Sequence, residues 1–199
     1  MFAYRWRILW AQAAATSDVK GADGMDTRVD NTERVRALVG RLVRQARGGL
    51  LKTQLVKFLY LIDLEWVKAT GVSLTGLRWR YHYYGPWDDA IDGVLLEMER
   101  EGELVVREGI RPDGLPYRVY DATGTTPGDN LSAAERLVSD HICRTYRRFR
   151  VRQLLDDVVY ETPPMLNANK GEELNLTLAH RYDEDLTFLV GGWAWGPEG

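Results

Sequence analysis

At 199 residues the chain is long enough for one core of ordinary size, and two independent domains would each be small. Hydrophobic residues make up 45% and charged residues 28%, a balance too apolar for intrinsic disorder. A net charge of −3 excludes a global attraction to nucleic acid or anionic membrane, and the one cysteine, Cys143, excludes an internal disulfide and a multi-cysteine zinc site.

Residues 1–30 read as a flexible leader. Its apolar run, Ile8 to Ala11, is interrupted by Gln12 and falls short of the ~7–15 residues of an export signal. Met25 is a plausible alternative start, and no stretch approaches the ~18 consecutive apolar residues of a membrane span. A cytoplasmic location is expected. The folded domain is expected over 31–168, with a tail over 169–199 that has no clear period but carries Trp193 and Trp195.

Val35, Leu38, Val39, Leu42, Val43 and Ala46 recur at amphipathic helical spacing, with Asp30 or Asn31 as the cap and Gly48-Gly49 as the stop. A second helix, from about Leu51 to Thr70, is apolar most of the way round, which predicts a central position in the core. From Leu77 to Tyr84 the residues Trp79, Tyr81 and Tyr83 alternate with Arg78, Arg80, His82 and Tyr84. That period of two predicts a strand with the first set facing the core. Gly85-Pro86 is expected to end the strand and open a helix over about Trp87 to Glu101.

Leu104–Val106 and Tyr117–Tyr120 predict a hairpin about the Pro112-Asp113-Gly114 turn. Ser132 and Glu135 form a capping box for a fourth helix reaching about Phe149. A fifth, over Val151 to Val159, is expected to stop before Pro163-Pro164. The expected fold is α+β and mostly helical, with about five helices and a small three-stranded antiparallel sheet, loosely winged-helix-like.

No phosphate-cradling glycine loop, His-Glu-x-x-His or Gly-x-Ser-x-Gly motif is present. His141 and Cys143 stand two apart on a predicted helix and point apart, and Cys143 reads as a structural thiol. The expectation is a binding protein with no catalytic residues, metal or cofactor. Two features suit binding. One is the arginine cluster Arg144, Arg147, Arg148, Arg150 and Arg152, which also has an ordinary reading as cations near a helix C-terminus. The other is the face carrying Arg78, Arg80, His82 and Tyr84, with Trp87 beyond it, because Arg, Tyr and Trp dominate binding energy when a partner buries them.

The segment Leu50 to Asp63, with Lys57 and Tyr60, precedes Thr70-Gly71, Leu74-Thr75-Gly76 and the strand closing on Tyr84-Gly85-Pro86. With Gly102-Glu103-Leu104 and the later Tyr160-Glu161-Thr162-Pro163-Pro164-Met165, this series resembles the Panacea, or SocA-like, antitoxin domain. The resemblance covers about residues 33 to 168. Gln54 stands where the family motif has its first lysine, which loosens the match on the helix surface.

The resemblance implies a prokaryotic or phage antitoxin that neutralises a cognate protein toxin, usually encoded beside it, by direct contact. One variant of the family presents its toxin to a protease. A DNA-binding regulator of winged-helix type is the alternative, and the acidity of Asp88, Asp89, Asp92, Glu97, Glu99 and Glu101 on the would-be groove helix counts against it.

Overall fold

The structure, a computed structural model, describes residues 27–127 and 130–180, the side chains of 27–30 excepted. The leader through Met25 and the indoles Trp193 and Trp195 therefore lie outside the described residues. Helix α1 (Thr27–Ala46) buries Val35, Leu38, Val39, Leu42 and Val43, the stripe that the spacing predicts. It starts before the expected cap, so Asp30 and Asn31 lie within it. The Arg47–Gly49 turn leads into β1 (Leu50–Leu51). Gly49 has φ 84°, and a Cβ there would sit 2.7 Å from the Tyr120 carbonyl, so only glycine lets the chain pass this close.

Helix α2 (Lys52–Thr70) is buried from Leu55 through Leu64 without interruption and is the central rod of the molecule. Gly71, at φ 77°, caps its end by donating its N–H to the Val67 carbonyl. Around α2 stand α1, α4 (Ala133–Tyr146) and α5 (Val151–Leu154). Strands β4 (Leu104–Ile110) and β5 (Pro116–Ala122) form the predicted hairpin, and β1 completes a three-stranded antiparallel sheet in the order β1-β5-β4. The sheet's third strand is thus the Leu50–Leu51 lead-in of α2, which pairs Leu50 with Tyr120, and the aromatic arm is excluded from it.

The arm is a separate hairpin of β2 (Arg80–His82) and β3 (Gly85–Trp87), turning at Tyr83-Tyr84. This corrects two expectations. Tyr83 is 73% exposed in the turn, not on the core face, and Gly85-Pro86 begins a strand, not a helix. Gly85 is left-handed, φ 81°, as a short hairpin needs when neither tyrosine of its turn has positive φ.

Proline is tolerated because Tyr81 and Pro86 are a non-hydrogen-bonded pair. The Tyr81 N–H instead donates to the Glu172 carbonyl (2.9 Å), and its carbonyl accepts from Gly171 N–H (2.7 Å). Leu174 N–H donates to the Trp79 carbonyl (2.7 Å), so residues 171–174 cover the outer edge of β2. Leu174 is buried there.

Helix α3 (Ala90–Arg100) starts three residues later than expected, where Asp88 Oδ1 accepts the Ala90 N–H (2.8 Å). Ser132 and Glu135 make the predicted capping box on α4. The expected fifth helix continues α5 as a π-helical turn (Leu155–Val159). Thr162-Pro163-Pro164 then starts α6 (Pro163–Leu166), with proline in the first turn where a missing N–H costs nothing. The architecture is α+β and mostly helical.

Candidate functional site

Most residues that carry the motif are structural. Asp63, on the buried face of α2 with no exposed surface, accepts from the Leu74 N–H (2.6 Å), the Thr75 N–H (3.2 Å) and the hydroxyls of Ser73 (3.0 Å) and Thr75 (2.7 Å). It also accepts from Trp79 Nε1–H (2.8 Å). One carboxylate thereby ties α2 to the loop and to the root of the arm. A turn earlier, Tyr60 stacks edge-on against Trp79, with ring centroids 5.4 Å apart, and its hydroxyl meets Thr162 Oγ1 (2.8 Å). Burial pushes the Tyr60 hydroxyl well above its usual pKa.

The Thr162 hydroxyl donates to the Val159 carbonyl (2.7 Å), which leaves Tyr60 as the donor to Thr162. Tyr60→Phe is therefore expected to cost about 1 kcal/mol, a fall of roughly 2–4 °C in thermal midpoint by scanning calorimetry. Pro164 and Met165 are buried beside this bond, and Tyr160 lies against Tyr81 with ring centroids 6.2 Å apart. The three motif segments meet here, far apart in sequence and close in space.

Lys57 differs from these. It is 1% exposed, and its Nζ donates to the Pro86 carbonyl (2.6 Å), which the β2–β3 ladder leaves free. Burial lowers its pKa to about 7. Gln54 is also more than a surface substitution. Its Oε1 accepts the Leu51 N–H (3.3 Å) and its Nε2 donates to the Phe149 carbonyl (3.0 Å), which joins the start of α2 to the α4–α5 junction.

Above Lys57 lies a small pocket of about 190 Å³ lined by Thr53, Lys57, His82, Tyr84, Gly85 and Trp87. A larger hollow of about 630 Å³ runs from Lys52 and Thr53 to Val151 and to Glu108, Arg111, Tyr117 and Arg118 at the β4–β5 end. Thr53 lines both, so they adjoin across the first turn of α2. Three of the candidate residues from the sequence, His82, Tyr84 and Trp87, therefore converge on one pocket. Arg78 and Arg80 are exposed but do not line it. The edge of β2 is closed by residues 171–174, so this surface offers side chains to a partner and not a strand edge.

The arginine cluster is split. Arg144 Nε donates to the Asp140 carbonyl (3.1 Å) near the helix C-terminus, and Arg152 pairs with Asp156 (3.2 Å). Arg147 is half-buried, while Arg148 and Arg150 are exposed. Because Phe149 touches Gln54 and Val151 lines the larger hollow, Arg150 and Arg152 flank the start of α2, while Arg144 sits back along α4. Cys143 is buried, and burial pushes its thiol pKa up, away from the thiolate a nucleophile needs.

Among the described residues no group of three or more His, Cys, Asp or Glu could hold a metal ion, and no helix is long and apolar enough to cross a membrane. Sequence reasoning missed Asp63, whose signal was a lone carboxylate in the apolar stretch 55–64. The burial of Lys57 beside the pocket is likewise not visible in the sequence, where it stands only as a motif residue. No curated protein and no solved structure matches the chain. A family model described as "Antitoxin SocA-like, Panacea domain" matches residues 55–163, more than half of the chain. It runs from Leu55 in the first turn of α2 through the arm, α3, β4, β5, α4, α5 and the π-helical turn to Pro163. The chain belongs to the SocA-like antitoxin family and carries its Panacea domain.

Proposed function

We propose that the protein is the antitoxin of a toxin–antitoxin pair and neutralises a cognate protein toxin, encoded in a neighbouring gene, by direct contact through the arm and the two hollows beside it, without chemistry of its own. Family membership carries this reading. It is supported by the division of labour in the site: Asp63, Tyr60 and Thr162 are consumed in holding the fold, while Arg80, His82 and Tyr84 stay exposed on a hairpin anchored at both edges.

A DNA-binding regulator fits less well. Asp89, Asp92 and Glu97 are exposed on and beside α3, which carries Arg100 as its own cation and has Asp92 paired with Lys52, a face that on balance repels phosphate. No observation favours protease presentation over simple neutralisation.

Co-expression with each flanking gene product, followed by affinity capture and size-exclusion chromatography, tests the proposal. Rescue of growth and a co-eluting complex are expected. Arg80→Ala combined with Tyr84→Ala is expected to weaken the complex by roughly 10- to 100-fold, in the range of interface aromatic and arginine truncations. Because both side chains are exposed, the thermal midpoint should stay within about 2 °C. A larger fall would mean that the arm serves the core and not a partner.

A further inference from the structure

The cations that line the two hollows are Lys52, Lys57, Arg111 and Arg118, and they are not equivalent. Lys52 pairs with Asp92 (2.6 Å) while standing over the Trp87 ring, Arg111 pairs with Asp113 (2.7 Å), and Arg118 pairs with Glu108 (2.5 Å). Lys57 has only the Pro86 carbonyl. An ammonium carries three donors, so two are left without an acceptor among the described residues, in a group that is 1% exposed. Its one hydrogen bond is to a neutral carbonyl, so a carboxylate placed against it would supply both an acceptor and the opposite charge.

The pocket above it limits what that counter-ion can belong to. At about 190 Å³ it is below the roughly 300–1,000 Å³ of small-molecule sites, yet it has room for one side chain. Thr53, His82, Tyr84, Gly85 and Trp87 line it together with Lys57, its wall is mostly apolar, and no carboxylate lines it.

We propose that this pocket receives a single carboxylate side chain of the protein partner, with Lys57 Nζ as its counter-ion. The partner therefore presents an acidic residue at the centre of its contact. This rests on the antitoxin reading for the identity of the partner, but not for the chemistry of the pocket. Burial lowers the amine's pKa, and a carboxylate bound beside it raises it again. The titratable groups that line the pocket with it are His82 and Tyr84 on the arm, Lys52 stands over the Trp87 ring and pairs with Asp92, and Leu155 and Val159 close the Gly85 side with apolar surface.

The test needs no toxin. The full chain is titrated with N-acetyl-glutamate N-methylamide and, separately, with the glutamine analogue, and the Trp87 Nε1–H, His82 and Lys57 side-chain signals are followed by NMR. Saturable shifts at the pocket with the glutamate probe are expected, with affinity at least about tenfold better than for the glutamine probe, and Lys57→Met removes the difference. In the wild-type protein alone, the Lys57 titration midpoint rises by about one unit or more when the probe saturates.

Equal responses to the two probes, an unmoved Lys57 midpoint or full glutamate binding by Lys57→Met overturns the assignment. Carboxylate binding without toxin neutralisation would overturn the antitoxin reading and leave the pocket. Neutralisation without carboxylate binding would do the reverse.

Discussion

Asp63→Asn is expected to destabilise the protein by about 3 kcal/mol or more, lowering the thermal midpoint at neutral pH by roughly 6–12 °C. The reason is geometric. Asp63 Oδ1 accepts from Leu74 N–H, Thr75 N–H and the Ser73 hydroxyl, and Oδ2 accepts from Trp79 Nε1–H and the Thr75 hydroxyl. Every one of these partners is a donor. An amide of the same shape aims its own N–H at one set of them and leaves buried donors facing each other. The substitution also releases Trp79, on which the arm is rooted, so the loss of partner binding should accompany the loss of stability. A fall of less than about 2 °C in calorimetry would mean that Asp63 does not organise the 73–79 segment.

Lys57→Met is expected to act in the opposite direction and with a pH signature. Folding lowers the lysine pKa from its ordinary 10.5 to about 7. Between these values the unfolded chain holds a proton that the folded protein does not, so the lysine makes stability rise with pH across that window. At and below pH 7 the full penalty of burying the amine is present, and above 10.5 it is gone. Methionine carries no such penalty, so the variant should be more stable than wild type at pH 6–7, and its advantage should decline towards pH 10. The change in the difference is on the order of 4 kcal/mol, while the Pro86 carbonyl left without a donor lowers the variant's advantage equally at every pH. Chemical denaturation of both proteins from pH 6 to 10 checks this, and a difference independent of pH would contradict it. A buried amine held by a single carbonyl, at a position where methionine is expected to be more stable, is the pattern of a residue kept for binding.

The helical frame was legible because its signals are local. The apolar stripes of α1 and α2, the Ser132–Glu135 box and the Pro112–Gly114 turn each act within a few residues. The arm was not, because its character depends on distant chain. Tyr83 continues the alternation in sequence but sits in a turn, and Pro86 reads as a breaker until residues 171–174 take the hydrogen bonds of Tyr81 and make its pairing with proline harmless. Alternation did pick out the exposed face of Arg78, Arg80, His82 and Tyr84. It could not show that His82 and Tyr84 meet Lys57, which lies 25 or more positions earlier on α2 and would ordinarily be assigned to the surface. Gln54 illustrates the same limit: a lost motif lysine reads as surface drift, yet the glutamine fastens the α4–α5 junction.

In the proposed function, the scaffold motif presents a side-chain surface, formed by the arm and the Lys57 pocket, to a protein toxin. The most direct test is growth rescue and complex formation on co-expression with the flanking gene products, comparing wild type with Arg80→Ala/Tyr84→Ala. The account predicts a stable complex and rescue for wild type, and weakened capture with unchanged thermal midpoint for the double variant. Absence of both rescue and complex with either flanking product would contradict it.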